Sequence, residues 1–433
     1  MPGNDPAGVR VLLLSELRDT AARSTGLGGD ALDEVIELED SLQRFVSVRL
    51  TRFEIESLQD RYRALGFRRV WRDAGKRALI HASGNVLHAD AARTAYHARG
   101  QQIGWAVLDT GIAADHPHFF VKGERDNVVA QWDCTRRGVA KRLTRADGDA
   151  FAKLDRHGHG THIAGIIAGQ CRAVIPDAQS NPGSPLEFAG MAPDTQLYGF
   201  KVLDDAGNGR DSWMIKAVQQ VAAINERASQ LIIHGVNLSL GGYFDPESCG
   251  CGFTPLCNEL RRLWRLWRQG VLVVVAAGNE GLAWLMRNDG DAHPVNMDLS
   301  ISDPGNLEDA IVVGSVHKSS PHNYGVSYFS SRGPTADGRG KLDVVAPGEK
   351  ILSAYYGFDP KDPASLMVEI SGTSMAAPHV SGVLAGFLSA RREFIGFPDR
   401  VKQLLLETSI DLERDRYVQG RGLPNLMRML EKT

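Results

Sequence analysis

The sequence predicts an α/β chain: a doubly wound, mostly parallel sheet with helices on both faces, plus a small N-terminal α+β domain. Five short and almost wholly apolar runs point to the sheet. "IGWAVLD" (103–109), "TQLYGFKVL" (195–203), "LIIHGVNLSL" (231–240), "GVLVVVAAGN" (270–279) and "AIVVGSV" (310–316) have the two-sided apolar character of central parallel strands. Helix-like stretches alternate with them at 161–170, 211–229 and 256–269, followed by 375–391 and 398–408. Such βαβ alternation places helices on both faces of one sheet. Residues 1–85 are richer in charge and read as a separate unit.

Within that unit, "RFVSVRL" (44–50) reads as a strand. "TRFEIESLQDRYRALG" (51–66) reads as a helix, with Thr51 as its cap, Glu54 completing a capping box and Gly66 as its stop. "FRRVWRD" (67–73) and "KRALIHA" (76–82) read as further strands, and with "VRVLLLSEL" (9–17) they suggest a compact β–α–β arrangement. Residues 86–102 read as a linker, which leaves 103–433 as the main domain.

With 49 basic and 52 acidic residues the net charge is −3, so no dominant basic surface speaks for nucleic acid as a partner. No apolar run reaches the roughly 18 residues a membrane-spanning helix needs. "MPGNDPAGVRVLLLSEL" lacks the basic start and long apolar core of a secretory signal, so the expected location is the cytoplasm, or outside the cell if a leader has been removed. Five cysteines are too few for a disulfide framework in 433 residues. Three of them, Cys249, Cys251 and Cys257, lie close together but without the fourth ligand of a structural zinc site. A local disulfide or reduced thiols are the simpler expectation.

The chemistry-bearing residues gather at predicted strand ends and helix starts. "AVLDTGI" puts Asp109 at the end of a buried run, "HGHGTHIAGIIAG" puts His159 at the mouth of a helix, "VVVAAGNEG" ends at Asn279, and "SGTSMAAPH" opens a helix at Ser374. A serine hydroxyl becomes a nucleophile when a base takes its proton and a third group orients that base. "DTG" is also an aspartic-protease signature, but that chemistry needs two such carboxylates and no second copy occurs.

Together, "VLDTGI", "HGTHIAG", "NLSLGG", "AAGNEG" and "GTSMAAPHVSG", in that order, resemble the diagnostic segments of the subtilisin-like serine proteases. The resemblance runs from 103 to about 430 and ends on "RYVQGRGLPNLMRML". It implies a serine endopeptidase with Ser374 as nucleophile, His159 as base, Asp109 as the orienting carboxylate and Asn279 as oxyanion donor. His157 and His162 are then structural. It also implies protein or peptide substrates, held on one side by Ser239, Leu240 and Gly241 and on the other by Gly207, Asn208 and Gly209. Ala276, Ala277 and Gly278 would line the pocket beside the scissile bond.

No cofactor is required for such chemistry. Residues 172–188 stand where many relatives fold a calcium loop, and Asp177, Asn181 and Glu187 offer oxygens without forming a full ligand set, so a structural calcium ion stays open. The N-terminal unit weakly resembles a propeptide that chaperones folding and blocks the cleft of a zymogen, with processing near 80–100. Two stretches depart from the family pattern. Residues 282–302 replace the floor of the specificity pocket, and 243–267 are longer than in simple members, as a partner-binding element, a lid or decoration. The alternative reading is a catalytically silent or permanently self-inhibited binding protein on the same fold.

Overall fold

The computed structural model describes residues 6–28, 30–35, 48, 50–59, 82–173, 186–242, 252–265, 270–286 and 292–433. The chain divides into two units, Met1–Arg77 and Ala78–Thr433.

In the first unit the stretch 9–17 belongs to a helix, Pro6–Thr25, and not to a strand. Leu14, Leu17 and Ala21 recur at spacings of three and four residues, which puts them on one helical face. Ala21 and Leu32 are buried together, with Ala22 and Val48 against them. The helix Arg52–Gln59 carries the expected capping box: the Thr51 N–H donates to Glu54 Oε2 at 2.6 Å and the Glu54 N–H donates to Thr51 Oγ1 at 3.4 Å. The proposed stop at Gly66, the strand 67–73 and nearly all of 44–50 and 76–82 lie outside the described residues.

The second unit is built on eight strands: β1 (Gly104–Asp109), β2 (Val128–Asp133), β3 (Arg142–Leu143), β4 (Gln196–Lys201), β5 (Gly235–Leu238), β6 (Leu272–Ala276), β7 (Ile311–Val316) and β8 (Val344–Pro347). Their order across the sheet is β8-β7-β6-β5-β1-β4-β2-β3. Every pairing is parallel except that of β2 with β3. From β1 the chain first builds toward β2 and β4, then crosses to β5 and builds the other way. In doubly wound sheets the ligand crevice opens at the carboxyl ends where the winding reverses. Asp109 ends β1 there, and Ser239 follows the last residue of β5.

The principal helices are α1 (His159–Ile167), α2 (Asp211–Glu226), α3 (Pro255–Trp264), α4 (Thr373–Ala390) and α5 (Pro398–Thr408). Helix α4 lies across β5, β6, β7 and β8 and against α1, and is buried around almost its whole circumference. A helix so enclosed is apolar on every side instead of amphipathic.

Residues 86–102 are part of this unit's core and not a free linker. Leu87, Ala89, Ala92 and Ala98 are fully buried, the last three on and just beyond a helix, Ala89–Tyr96. The Leu426 N–H donates to Leu87 O, and the Gly100 N–H donates to Ser389 Oγ. Small alanines let this segment sit flush on the domain, which composition alone cannot separate from a solvated linker.

Candidate active site

Asp109 comes to the site because β1 ends on it, with its carboxylate fully buried. Oδ1 accepts from the Thr110 N–H and from His159 Nδ1, both at 2.8 Å. His159 opens α1, and this helix can approach β1 so closely because its second residue is Gly160. A Cβ there would lie 2.2 Å from Gly111 O.

The mouth of α1 is fastened by a residue that motif reading passed over. Asp155 Oδ1 accepts from the N–H groups of His157 and Gly158, while Oδ2 accepts from the N–H and hydroxyl of Thr161. Four donors converge on one buried carboxylate and fix the turn that carries His159. Burial lowers the His159 pKa, but the Asp109 charge, the Asp109 hydrogen bond and the charge of Asp155 raise it, and the net shift is upward. Asp155→Asn removes one of those charges. We expect the acidic limb of the pH–activity profile to move to lower pH, because a general base is active only when neutral and its pKa falls. A profile of kcat against pH that does not move would reduce Asp155 to a purely structural role.

Ser374 is the second residue of α4, where backbone N–H groups lack intrahelical partners. Its hydroxyl donates to Ser239 O at 3.0 Å, and Ser239 Oγ donates to Ser374 O at 2.8 Å. Pro378, four residues on, explains the second bond. It has no N–H to give the Ser374 carbonyl, so that oxygen is free to accept from Ser239. Asn237 Nδ2 in turn donates to Ser239 Oγ, and the Ser381 hydroxyl donates to Asn237 Oδ1. The end of β5 is thereby tied to the start of α4. The Thr373 N–H donates to Asn279 Oδ1 at 2.9 Å, and the Thr373 hydroxyl donates to the same oxygen, which fixes the amide with its oxygen toward Thr373.

The structure thus assembles two halves, Asp109 with His159 and Ser374 with Ser239, Thr373 and Asn279. Among the described residues no hydrogen bond joins Ser374 Oγ to His159, and catalytic hydrogen bonds are often long before substrate arrives. His162, three residues along α1, accepts no role in proton transfer: its Nε2 faces the carbonyls of Ile351 and Val368, and burial pushes its pKa down to about 3.

The residues expected to hold substrate fare differently. Leu240 is half-buried and Gly241 exposed beyond the end of β5, and neither makes a backbone hydrogen bond among the described residues. Gly207 closes a tight turn that begins at Asp204, and Asn208 and Gly209 return alongside Leu203. Gly207 N–H donates to Asp204 O, Asn208 O accepts from the Asp204 N–H, and Gly209 bridges back to Leu203. Asp204 at the start of that turn accepts from the N–H groups of Ala206 and Asn208, an Asx-type closure.

Ala276 ends β6; the Ala277 N–H donates to Val313 O and Ala277 O accepts from the Ser302 N–H. Gly278, at φ 109°, must lack a side chain, since a Cβ would lie 2.2 Å from Ser302 Oγ and 2.3 Å from Glu280 Oε2. Glu280 Oε2 accepts from the hydroxyls of Ser302 and Ser331, which gives the pocket wall a polar backing.

Residues 100–427 match the sequence model of the subtilase family. The chain belongs to the subtilase family. Serine protease AprX of Bacillus subtilis is 30% identical over 373 residues, covering 83% of this chain and 73% of that protein. The major intracellular serine protease of the same organism is 33% identical over 299 residues, covering 68% and 71%. A subtilisin-like protease of Arabidopsis thaliana is 29% identical over 77% of this chain, a match that spans 26% of that longer protein. The CspB protease of Clostridium perfringens shares the fold, with a TM-score of 0.64 at 18% identity over 81% of this chain and 98% of that one. The subtilase is a serine endopeptidase, a hydrolase of protein or peptide substrates.

Among the described residues of the subtilase no group of three or more His, Cys, Asp or Glu side chains is placed to hold a metal ion. Asp177, Asn181, Cys249 and Cys251 lie outside them, and Glu187 sits in the strand Leu186–Ala189. Cys257 is a buried free thiol donating to Asp303 Oδ1, and burial pushes its pKa up to about 12. No described helix is long and apolar enough to cross a membrane.

Proposed function

We propose that the subtilase cleaves peptide bonds through an acyl-enzyme, with Ser374 as nucleophile, His159 as general base and then general acid, Asp109 as the orienting carboxylate and Asn279 as oxyanion donor. One observation carries the reading: the 2.8 Å hydrogen bond from His159 Nδ1 to the fully buried Asp109. With the proton held on Nδ1, the Nε2 lone pair is left to take the proton of Ser374.

Ser374 Oγ then bonds to the peptide carbonyl carbon, and an electron pair moves onto the carbonyl oxygen. Asn279 Nδ2 and the Ser374 N–H, at the positive end of α4, are the donors for that charge. Collapse expels the amine, which takes the proton from His159. Water, deprotonated by the same imidazole, releases the acid and restores the hydroxyl. The exposed backbone after β5, at Leu240 and Gly241, pairs with the substrate backbone and gives affinity that does not depend on side chains. A fluorophosphonate probe tests the reading: one equivalent should attach to the wild-type chain. A chain that never reacts, even after limited proteolysis of its N-terminal unit, would be the silent binding protein instead.

The N-terminal unit, in this reading, is an intramolecular inhibitor removed by self-cleavage. Leu87, Ala89, Ala92 and Ala98 are core residues of the catalytic unit, so the bond cut must precede them. Intact-mass analysis of incubated protein should show a new N-terminus at or before Ala82 in wild type and none in Ser374→Ala. A terminus inside 87–98 would contradict the core role of that segment.

A further inference from the structure

The stretch 282–302, which departs from the family pattern, folds as an antiparallel hairpin, Leu282–Met286 paired with Ala292–Asn296. Three consecutive large apolar residues stand in solvent on its first strand: Trp284 at 64% exposure, Leu285 at 59% and Met286 at 69%. In the register Leu282 faces Asn296, Trp284 faces Pro294 and Met286 faces Ala292, so these six share one face, while Leu285, opposite His293, stands on the other. The ten residues of the two strands include no Asp, Glu, Lys or Arg. Exposed apolar groups in such concentration mark an interaction surface.

Both legs of the hairpin rise from the pocket wall. The first leaves directly from Gly281, which follows Asn279 and Glu280 in the chain. The Met297 N–H donates to Gly281 O and closes the base. The second leg returns to Ser302, whose N–H donates to Ala277 O and whose hydroxyl donates to Glu280. The Gly281 N–H donates to Phe329 O, which places the exposed Tyr328, at 66%, on the chain stitched to that base.

Resting on the endopeptidase reading above, we infer that this hairpin is a ledge that binds apolar side chains of the extended polypeptide substrate. Its two legs join the chain at Gly281 and Ser302, beside the proposed pocket wall, and the absence of Asp, Glu, Lys and Arg from its two strands suits apolar residues, the charged Arg287, Asp289 and Asp291 falling in the segment between them. A second copy of the chain is a poorer occupant, since a ten-residue ribbon falls short of the roughly 800 Å² per partner that a stable dimer buries.

The test uses full-length Ser374→Ala protein, so that binding is read without turnover. Calorimetric titration compares two peptides of equal length, one with Leu, Phe and Met flanking the central bond and one with Ser, Thr and Gln. The parent should prefer the apolar peptide by about tenfold or more. Trp284→Ser with Met286→Ser should erase that preference while leaving affinity for the polar peptide within about twofold. No preference in the parent, or a preference that survives the double change, overturns the inference. So does a concentration-dependent dimer that the double change dissolves, or faster self-processing in the otherwise wild-type chain with peptide preference intact. Those outcomes would give the surface to a second copy or to the N-terminal unit. Fluorophosphonate labelling of the wild-type chain reports the catalytic reading separately: labelling without a peptide preference would overturn the ledge alone, and no labelling would overturn the catalytic reading.

Discussion

Ser374→Ala should lower kcat on a peptide substrate by about 10⁶-fold and abolish fluorophosphonate labelling, with substrate affinity retained. The magnitude is the one known for loss of the nucleophile in subtilisin, a member of the same family, and is carried over to this chain. The physical reason is local. Alanine removes the atom proposed to bond to the peptide carbonyl, while the proposed donors at Asn279 and at the start of α4 remain. What is left is binding and oxyanion stabilisation, worth about 10³–10⁴ over water. The structural cost is small, because the hydroxyl gives up one hydrogen bond, to Ser239 O, worth about 1 kcal/mol. The Ser239 bond to the Ser374 carbonyl involves only backbone on the α4 side and survives. His159→Ala should cost nearly as much, and the double variant little more than either, since nucleophile and base act as a unit. Turnover in Ser374→Ala within about a hundredfold of wild type would remove it from the chemistry.

The sheet was legible where burial on both faces writes a continuous apolar run, as in β1, β6 and β7, whose residues are all buried. It was not legible at β2, because Gln131 sits in the core there. Its amide donates to Ile112 O and Phe151 O, and its oxygen accepts from the Ile112 N–H, so a polar side chain is satisfied in the interior. The four-residue β8 was too short to stand out. Asp109, His159, Ser374 and Asn279 stood out in the sequence because each sits in a local motif at a strand end or a helix start. Asp155, Asn237 and Ser381 did not. Their roles are hydrogen bonds to backbone or to partners far along the chain, such as Ser381 to Asn237 across 144 positions, and no spacing rule encodes that. The apolar hairpin after Asn279 and the core role of 86–102 were hidden for a related reason: each depends on what the segment packs against, or fails to pack against, in three dimensions.

Asp109→Asn should lower kcat by up to about 10⁴-fold with the fold intact, the full loss being the one known for a serine protease whose imidazole is left in the wrong tautomer. Asp109 Oδ1 accepts from two N–H donors, Thr110 and His159, and Oδ2 has no partner among the described residues. An amide has one accepting oxygen and one donating nitrogen, so two arrangements compete. If the oxygen stays on Thr110 and His159, the imidazole keeps its tautomer but loses the charge that stabilises its protonated form during attack. If the amide turns over, its NH2 faces the Thr110 N–H, donor against donor, and drives the His159 proton to Nε2, where it blocks acceptance from Ser374. The first route weakens the base and the second blocks it. They differ in pH dependence. In the first, the His159 pKa, raised in wild type by the Asp109 charge and hydrogen bond, falls, and the acidic limb of kcat moves to lower pH. In the second, residual turnover climbs at high pH, where hydroxide removes the need for an imidazole base. The donor clash at Thr110 favours the first. Measuring kcat from acidic to strongly alkaline pH decides between them, and activity within about tenfold of wild type across that range would end the assignment of Asp109 as the orienting carboxylate.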